Sequence, residues 1–258
     1  MAQQKNNVAV FDRDVRENAG YRYTTHARYS SVVANERITR ATLRHIDDRA
    51  KRVLDAGCGD GTYTQQLKAS RPLLEMSGFD PAVEAINVAR RRHVGIQFET
   101  ADILRPETFP PGKFDLVIVR GVLHHLSDPA AAIRNCANLS DRILIIEPNG
   151  NNPILKLIEK FSVYHREHEE QSFSSRDLKT WCRDAGFAVS SVEFIGFVPF
   201  FFPAGLAKLI HFFQPFLERF PLLGRFFGAQ IVLMAERGSA TQPTQHSTIS
   251  HLPLSVGT

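Results

Sequence analysis

The segment from Val53 to Gly61 has the residue pattern that points most clearly to chemistry, an apolar start followed by an acid and three alternating glycines. A strand that stops, turns on glycines and enters a helix brings bare backbone close to a ligand. A dinucleotide site has the spacing G-x-G-x-x-G, because a pyrophosphate sits on the helix N-terminus. Here the spacing is Gly57-x-Gly59-x-Gly61, and Asp60 inside the loop would repel a diphosphate. The loop therefore favours a ligand with a cationic end and no phosphate.

Carboxylates at the ends of two further predicted strands extend this pattern. Asp80 lies 25 residues after Asp55, where an acid accepts hydrogen bonds from ribose hydroxyls. Asp102 follows the third strand, where a carboxylate can accept from an adenine amino group while Ile103 packs on the ring. The alternatives are that Asp80 caps the next helix and that Asp102 is a turn residue.

The elements that position these residues alternate between strand and helix patterns. Strands are predicted at 52–56, 75–80, 95–99, 114–119 and 142–147, and helices at 62–69, 81–92 and 129–139. We expect Pro81 at the first helical position, and Asp128 as the N-cap before Pro129. The alternation predicts an α/β fold with a doubly wound parallel sheet.

Residues 50–150 resemble the class I S-adenosylmethionine (SAM)-dependent methyltransferases. The resemblance rests on LDAGCGDG, on FD at the end of the second strand, on AD after the third, on FDLVIV with HHL, and on LIIEP. It implies a Rossmann-like, mostly parallel seven-stranded sheet with helices on both faces, an antiparallel last strand at 230–236, and SAM as the cofactor. It also implies that the following residues bind SAM: Asp55, Gly57, Cys58, Gly59, Asp80, Pro81, Asp102, Ile103, Arg120 and Leu123.

Histidines supply the candidate catalytic groups. Methyl transfer from a sulfonium mainly requires that the acceptor is positioned, and a base helps only where the acceptor must lose a proton. His124 and His125 follow the fourth strand, where such a base would be useful, and a packing role is the alternative. We predict no metal site, because His165 and His168 lie in an acidic run typical of a solvated loop.

The acceptor must be inferred from the additions to this core. Residues 194–227 hold 11 of the 19 phenylalanines, and apolar residues follow helical spacing over 206–220, where Pro215 is expected to kink or split the helix. Such a stripe commonly packs on the domain core as a lid. The alternatives are a hydrophobic acceptor pocket and a helix lying in a membrane interface.

These features favour a methyltransferase that acts on a hydroxyl or carbon of a small hydrophobic or lipid-like acceptor, such as a quinone, isoprenoid or polyketide. One alternative is methylation of a sugar or lipid-linked saccharide. Another is a SAM-fold protein that binds ligand without turnover. A net charge of +4 without a basic stripe argues against nucleic acid as a partner.

Composition also gives the expected organisation and compartment. Residues 1–47 are expected to form an N-terminal helical segment, 48–237 the methyltransferase domain with an apolar helical insertion at 198–227, and 238–258 a disordered tail. Three scattered cysteines and an N-terminus without an apolar run predict a cytoplasmic protein. Peripheral membrane contact through the insertion and a homodimer are open alternatives.

Overall fold

A computed structural model of the chain describes residues 8, 12–13, 15–17, 20–21, 28–161, 171–200 and 202–238. His165, His168 and all but the first residue of the expected tail lie outside this set. The strands within it are β1 (Arg52–Ala56), β2 (Glu75–Asp80), β3 (Gln97–Thr100), β4 (Leu116–Arg120), β5 (Arg142–Pro148), β6 (Ala188–Ile195) and β7 (Gln230–Glu236). The helices are α1 (Tyr29–His45), α2 (Thr62–Ser70), α3 (Val83–Arg92), α4 (Pro129–Cys136), α5 (Pro153–Phe161), α6 (Ser175–Asp184), α7 (Ala204–Leu217) and α8 (Pro221–Phe227).

The strands form one seven-stranded sheet in the order β3-β2-β1-β4-β5-β7-β6. The strands from β3 to β5 pair in parallel, whereas β7 is antiparallel to both β5 and β6. The strand order reverses between β1 and β4, and open α/β sheets bind ligands at the carboxyl edge of such a point. The predicted Rossmann-like sheet with an antiparallel last strand is confirmed.

Alternate side chains of the central strands face opposite helical layers. In β4, Val117 and Val119 pack in one core with Ile133 of α4 and with α6. Leu116 and Ile118 pack in a second core with α1, α2 and α3. Since both faces of the strand are covered, its sequence is continuously apolar rather than alternating.

Three predicted element starts need correction, and the first is the fourth strand, which begins at Leu116 and not at residue 114. The helix after β2 begins at Val83 and not at Pro81, because Asp80 Oδ1 accepts a hydrogen bond from the Ala82 N–H at 2.9 Å and holds a turn there. The third strand begins at residue 97 and not 95, because Gly95 turns the chain with a φ of +87°. The predicted N-cap is confirmed: Asp128 Oδ1 accepts from the Ala131 N–H at 2.8 Å.

The expected break at Pro215 also lies elsewhere. Helix α7 continues through Pro215 to Leu217, and the chain breaks before Pro221, which starts α8. A proline disfavours helical backbone in the residue before it, and Phe220 is accordingly extended. Among the described helices, none has the length and apolarity needed to cross a membrane.

Candidate active site

The glycine loop joins β1 to α2 at the carboxyl edge of the sheet. Gly57, Gly59 and Gly61 have φ values of +83°, +56° and +74°, which residues with a Cβ rarely adopt. The N–H groups of Gly57 and Cys58 both donate to the Phe79 carbonyl oxygen, at 2.8 and 2.9 Å. The loop is therefore shaped by glycine backbone and tied to the end of β2.

Two other segments contact this loop closely. A Cβ added to Gly57 would lie 2.3 Å from a methyl group of Val122, in the segment after β4. A Cβ added to Gly59 would lie 2.5 Å from the ring of Tyr21. The backbone N–H of Tyr21 donates to Asp60 Oδ2 at 3.1 Å. The glycines thus allow both the N-terminal segment and the segment after β4 to approach the loop.

Asp80 connects the loop to the turn that follows β2. Its Oδ2 accepts from the Gly59 N–H at 3.0 Å, and its Oδ1 accepts from Ala82 across Pro81. Burial is the main influence on the carboxyl and raises the pKa of Asp80 to about 6, although both hydrogen bonds act to lower it. Asp80 therefore lies against the glycine loop, and the capping role considered above does not describe it.

Two predicted residues of β1 and the loop are buried. Asp55 is 1% exposed, accepts from Thr64 Oγ1 at 2.6 Å, and has its pKa raised to about 6 by burial. It thereby fastens α2 to β1. Burial, helped by Asp80 and Asp55, raises the pKa of the Cys58 thiol well above its ordinary value. The thiol stays protonated, which fits a small packing side chain rather than a nucleophile.

Asp102 and Ile103 form a turn after β3. Asp102 Oδ1 accepts from the Leu104 N–H at 2.9 Å, and the Asp102 N–H donates to Thr108 Oγ1 at 3.0 Å. Ile103 is 3% exposed, and its carbonyl oxygen accepts from Asn135 Nδ2 at 3.0 Å. Both residues are held at the carboxyl edge, where the sequence predicted them.

Arg120 and Leu123 differ in what they offer to a ligand. The Arg120 guanidinium lies 3.7 Å from the centroid of the Tyr63 ring and donates to Asn35 Oδ1 on α1. Leu123 is completely buried in the core, and its N–H donates to Glu147 Oε1 at 2.8 Å. The side chain of Leu123 therefore faces the core and not the edge of the sheet.

His124 is paired with a buried acid that the sequence reasoning missed. Its Nδ1 lies 2.7 Å from Glu147 Oε2, and the two side chains are 12% and 0% exposed. Glu147 Oε1 also accepts from the N–H groups of Val122 and Leu123, both at 2.8 Å. Since a carboxylate accepts, this bond places the Nδ1 proton on His124 and makes Nε2 the basic nitrogen.

A signal for Glu147 was present in the sequence. The apolar run of β5 ends in an acid, as do the runs of β1 and β2 that supplied Asp55 and Asp80. The His125 ring lies 3.9 Å from the His124 ring, centroid to centroid. Both predicted histidines thus lie together at the carboxyl edge of the sheet. The hydrogen bond to Glu147 distinguishes His124 from His125.

Known proteins share this architecture. A model of the methyltransferase-domain family matches residues 24–192. The ubiquinone biosynthesis O-methyltransferase of Neisseria meningitidis serogroup C is 29% identical over 169 residues, which cover 58% of this chain and 68% of that protein. The corresponding protein of Stutzerimonas stutzeri is 29% identical over 175 residues, covering 57% of this chain and 69% of its own length.

Solved structures agree in fold. A SAM-dependent methyltransferase from Thermotoga maritima aligns with a TM-score of 0.63 at 17% identity, covering 90% of this chain and 99% of that one. The magnesium protoporphyrin IX methyltransferase of Synechocystis, solved with bound SAH, aligns with a TM-score of 0.56 at 18% identity, covering 81% and 83%. Because the family model spans more than half of the chain and the sheet order agrees, this chain belongs to the class I SAM-dependent methyltransferases.

Proposed function

We propose that this methyltransferase methylates a hydroxyl group, or an acidic carbon, of a small hydrophobic acceptor of the quinone, isoprenoid or polyketide type. The observation that carries the proposal is the His124–Glu147 pair beside the glycine loop. A positioned base contributes to methyl transfer only where the acceptor has a proton to lose. The pair therefore favours a hydroxyl or an acidic carbon as the methylated group.

The chemistry of the carboxyl edge fits SAM. Carboxylates predominate there and create a negative field suited to a ligand with a cationic sulfur and an ammonium group. In this proposal the backbone of Gly57 and Gly59 approaches the amino acid portion, Asp80 binds the ribose, and Asp102 with Ile103 binds the adenine. Asp55 acts indirectly, since it is fully buried and bonded to Thr64.

His124 removes the proton of the acceptor. Glu147 holds Nδ1 in its protonated form, so that Nε2 takes the proton as the acceptor atom bonds to the methyl carbon. SAM, when bound, supplies an activated methyl group whose bond to sulfur breaks in this displacement. Because the methyl group is already activated, the protein contributes mainly by positioning the acceptor and moving one proton.

Two observations support an apolar acceptor. Similar proteins are described as ubiquinone biosynthesis O-methyltransferases, and this name denotes methylation of an oxygen during the formation of a quinone. The chain also carries its phenylalanine-rich segment, 194–227, outside the elements that form the SAM edge. Both favour a quinone-type or other lipid-like molecule over a free sugar.

The proposal is tested by transfer of isotope-labelled methyl groups from SAM to three acceptor sets: polyprenylated catechols and hydroquinones, phenolic polyketides, and polyprenyl-linked saccharides. We expect O-methylated or C-methylated products from the first two sets, identified by mass spectrometry. Products from saccharides alone would overturn the acceptor class. Calorimetric binding of SAM and S-adenosylhomocysteine without turnover on any set would favour a non-catalytic binding protein instead.

A further inference from the structure

Helices α7 and α8 expose an unusual amount of apolar side chain. Of the 16 large apolar side chains that are exposed among the described residues, 10 lie within 204–227. They are Leu206, Leu209, Phe212, Phe213, Phe216, Phe220, Leu222, Leu223, Phe226 and Phe227. We call this set the apolar helical surface. Monomeric soluble proteins seldom carry contiguous apolar patches of this kind unless the patch binds something.

Helix α7 turns a small and polar face toward the protein and its large apolar side chains outward. The side chains it turns toward the protein include Ala207 and Gln214, which are buried, and Gln214 Oε1 accepts from the Phe197 N–H at 3.2 Å. Phe212 and Phe216, in contrast, are 77% and 57% exposed. An amphipathic helix of a globular domain normally buries its large apolar side chains. Ala207 and Ile210 pack against the chain, but most large apolar side chains of α7 do not pack inward as a lid would require.

Helix α8 is held in place through its backbone. A Cβ on Gly224 would lie 3.2 Å from the Phe194 carbonyl oxygen, so the helix lies directly on β6. Asn149 Nδ2 donates to the carbonyl oxygens of Arg225 and Gly228, both at 2.9 Å. Since small residues and backbone make these contacts, the large side chains of α8 project outward from a fixed helix.

The exposed charged side chains within 204–227 have one sign. Within 204–227 the exposed ionisable side chains are Lys208, His211, Arg219 and Arg225. The one carboxylate of this segment, Glu218, is ion-paired with Arg37 of α1 and only 12% exposed. An apolar surface flanked by cations complements a surface that is apolar inside and anionic at its boundary.

We propose that the apolar helical surface docks into the interface of a bilayer that contains anionic lipids, with α7 and α8 lying along the membrane plane. At 14 residues α7 is too short to span the hydrocarbon core, which is about 30 Å thick. A symmetric contact with a second copy would place the exposed cations of this segment, Lys208, Arg219 and Arg225, against themselves. Anionic headgroups would neutralise these charges. The proposal concerns binding alone and does not depend on the acceptor proposed above.

The test is flotation of the full chain with vesicles of phosphatidylcholine alone and with vesicles of equal parts phosphatidylcholine and phosphatidylglycerol. We expect the wild type to float with the anionic vesicles. Phe212→Ser/Phe226→Ser should lower the partition coefficient about tenfold or more, because both rings leave the interface. Lys208→Gln/Arg219→Gln should lower it about fivefold for each cation removed, and only on anionic vesicles.

The matched control is Leu73→Ser/Val94→Ser, since these residues are 97% and 91% exposed on other parts of the chain. The control should float like the wild type, and circular dichroism should show that every variant is folded. Equal flotation of both double serine variants, or no flotation of the wild type, would overturn the proposal. Sedimentation of the wild type as a dimer that Phe212→Ser/Phe226→Ser dissociates, without vesicle binding, would assign the surface to a second copy.

Discussion

The carboxyl edge of the sheet and the apolar helical surface depart from ordinary burial in opposite directions. At the edge, ionisable groups are buried, with Asp55 1% and Glu147 0% exposed. On the helices, large apolar groups are exposed, with Phe212 at 77% and Leu222 at 71%. Natural proteins tend to break such local rules at functional sites. The difference supports a polar ligand at the edge and, as we propose above, an apolar phase at the helices.

The buried acids of the edge also differ from one another. Glu147 accepts from two backbone N–H groups and from His124, so its charge is well compensated. Asp55 accepts from Thr64, and burial still raises its pKa to about 6. We therefore expect Glu147 to matter most for the reaction, and Asp55, like Asp80, to make the stability depend on pH.

The largest expected effect is on proton transfer at the edge. His124→Gln should lower kcat about 10²–10⁴-fold, because a general base is lost. Glu147→Gln should have an effect of similar size, because an amide that donates to Nδ1 would place the proton on Nε2. Single-turnover methyl transfer on the wild type and both variants measures the loss, and calorimetry should show an unchanged affinity for SAM.

His125→Gln is the control for this prediction, since His125 is the neighbouring candidate. We expect a smaller loss of kcat, because Glu147 bonds to His124. Full activity of both His124→Gln and Glu147→Gln would contradict the base assignment while leaving SAM binding intact. An equal loss in His125→Gln would mean that the histidine pair acts as one unit.

A smaller effect is expected on cofactor affinity. Asp80→Asn should weaken SAM binding about 10- to 100-fold, because hydrogen bonds to a charged acceptor contribute about 1.5–3 kcal/mol. Affinity should also fall as the pH drops through about 6, where Asp80 takes up a proton. Calorimetric titration at several pH values measures both.

Asp115→Asn provides a matched control for Asp80→Asn. Asp115 Oδ2 accepts from the N–H groups of Lys51 and Arg52, both at 2.8 Å, at the opposite end of the sheet. These bonds give Asp115 a structural role at the start of β1. We expect its replacement to reduce stability and to leave SAM affinity unchanged, and equal weakening by both variants would remove the ribose assignment from Asp80.

The third prediction concerns the stability of the edge without ligand. The folded state keeps Asp55 protonated up to about pH 6, whereas the unfolded chain releases that proton near 3.8. The contribution of Asp55 to stability therefore falls as the pH rises from 3.8 to about 6 and stays low above it. Asp55→Asn should raise the free energy of unfolding at pH 7 by about 1–2 kcal/mol. Urea unfolding at pH 5 and pH 7 measures this, and a gain that is equal at both would contradict it.

The sequence predicted the edge better than the helices for a physical reason. The glycine loop, the acids at the ends of β1 and β2, and the acid after β3 depend on local backbone turns, which residue types encode directly. The contact between His124 and Glu147 joins the segment after β4 to β5 across 23 residues of sequence, so no local sequence pattern contains it. Periodicity located the stripe over 206–220, but it does not say which face of a helix meets the protein. That depends on Ala207 and Gln214, which fit against α1 and the segment after β6.

The smallest expected effect completes the comparison between the two regions. Phe212→Ser/Phe226→Ser should change the free energy of unfolding in water by about 1 kcal/mol or less, because Phe212 is 77% and Phe226 45% exposed. Leu178→Ala, in the core beneath the edge, should lower it by about 2–5 kcal/mol. Urea unfolding without lipid compares the two variants. A loss above about 2 kcal/mol in the phenylalanine variant would mean that these side chains of α7 and α8 stabilise the fold. The apolar helical surface would then be part of the packed protein, and the contrast with the buried charges of the edge would not hold.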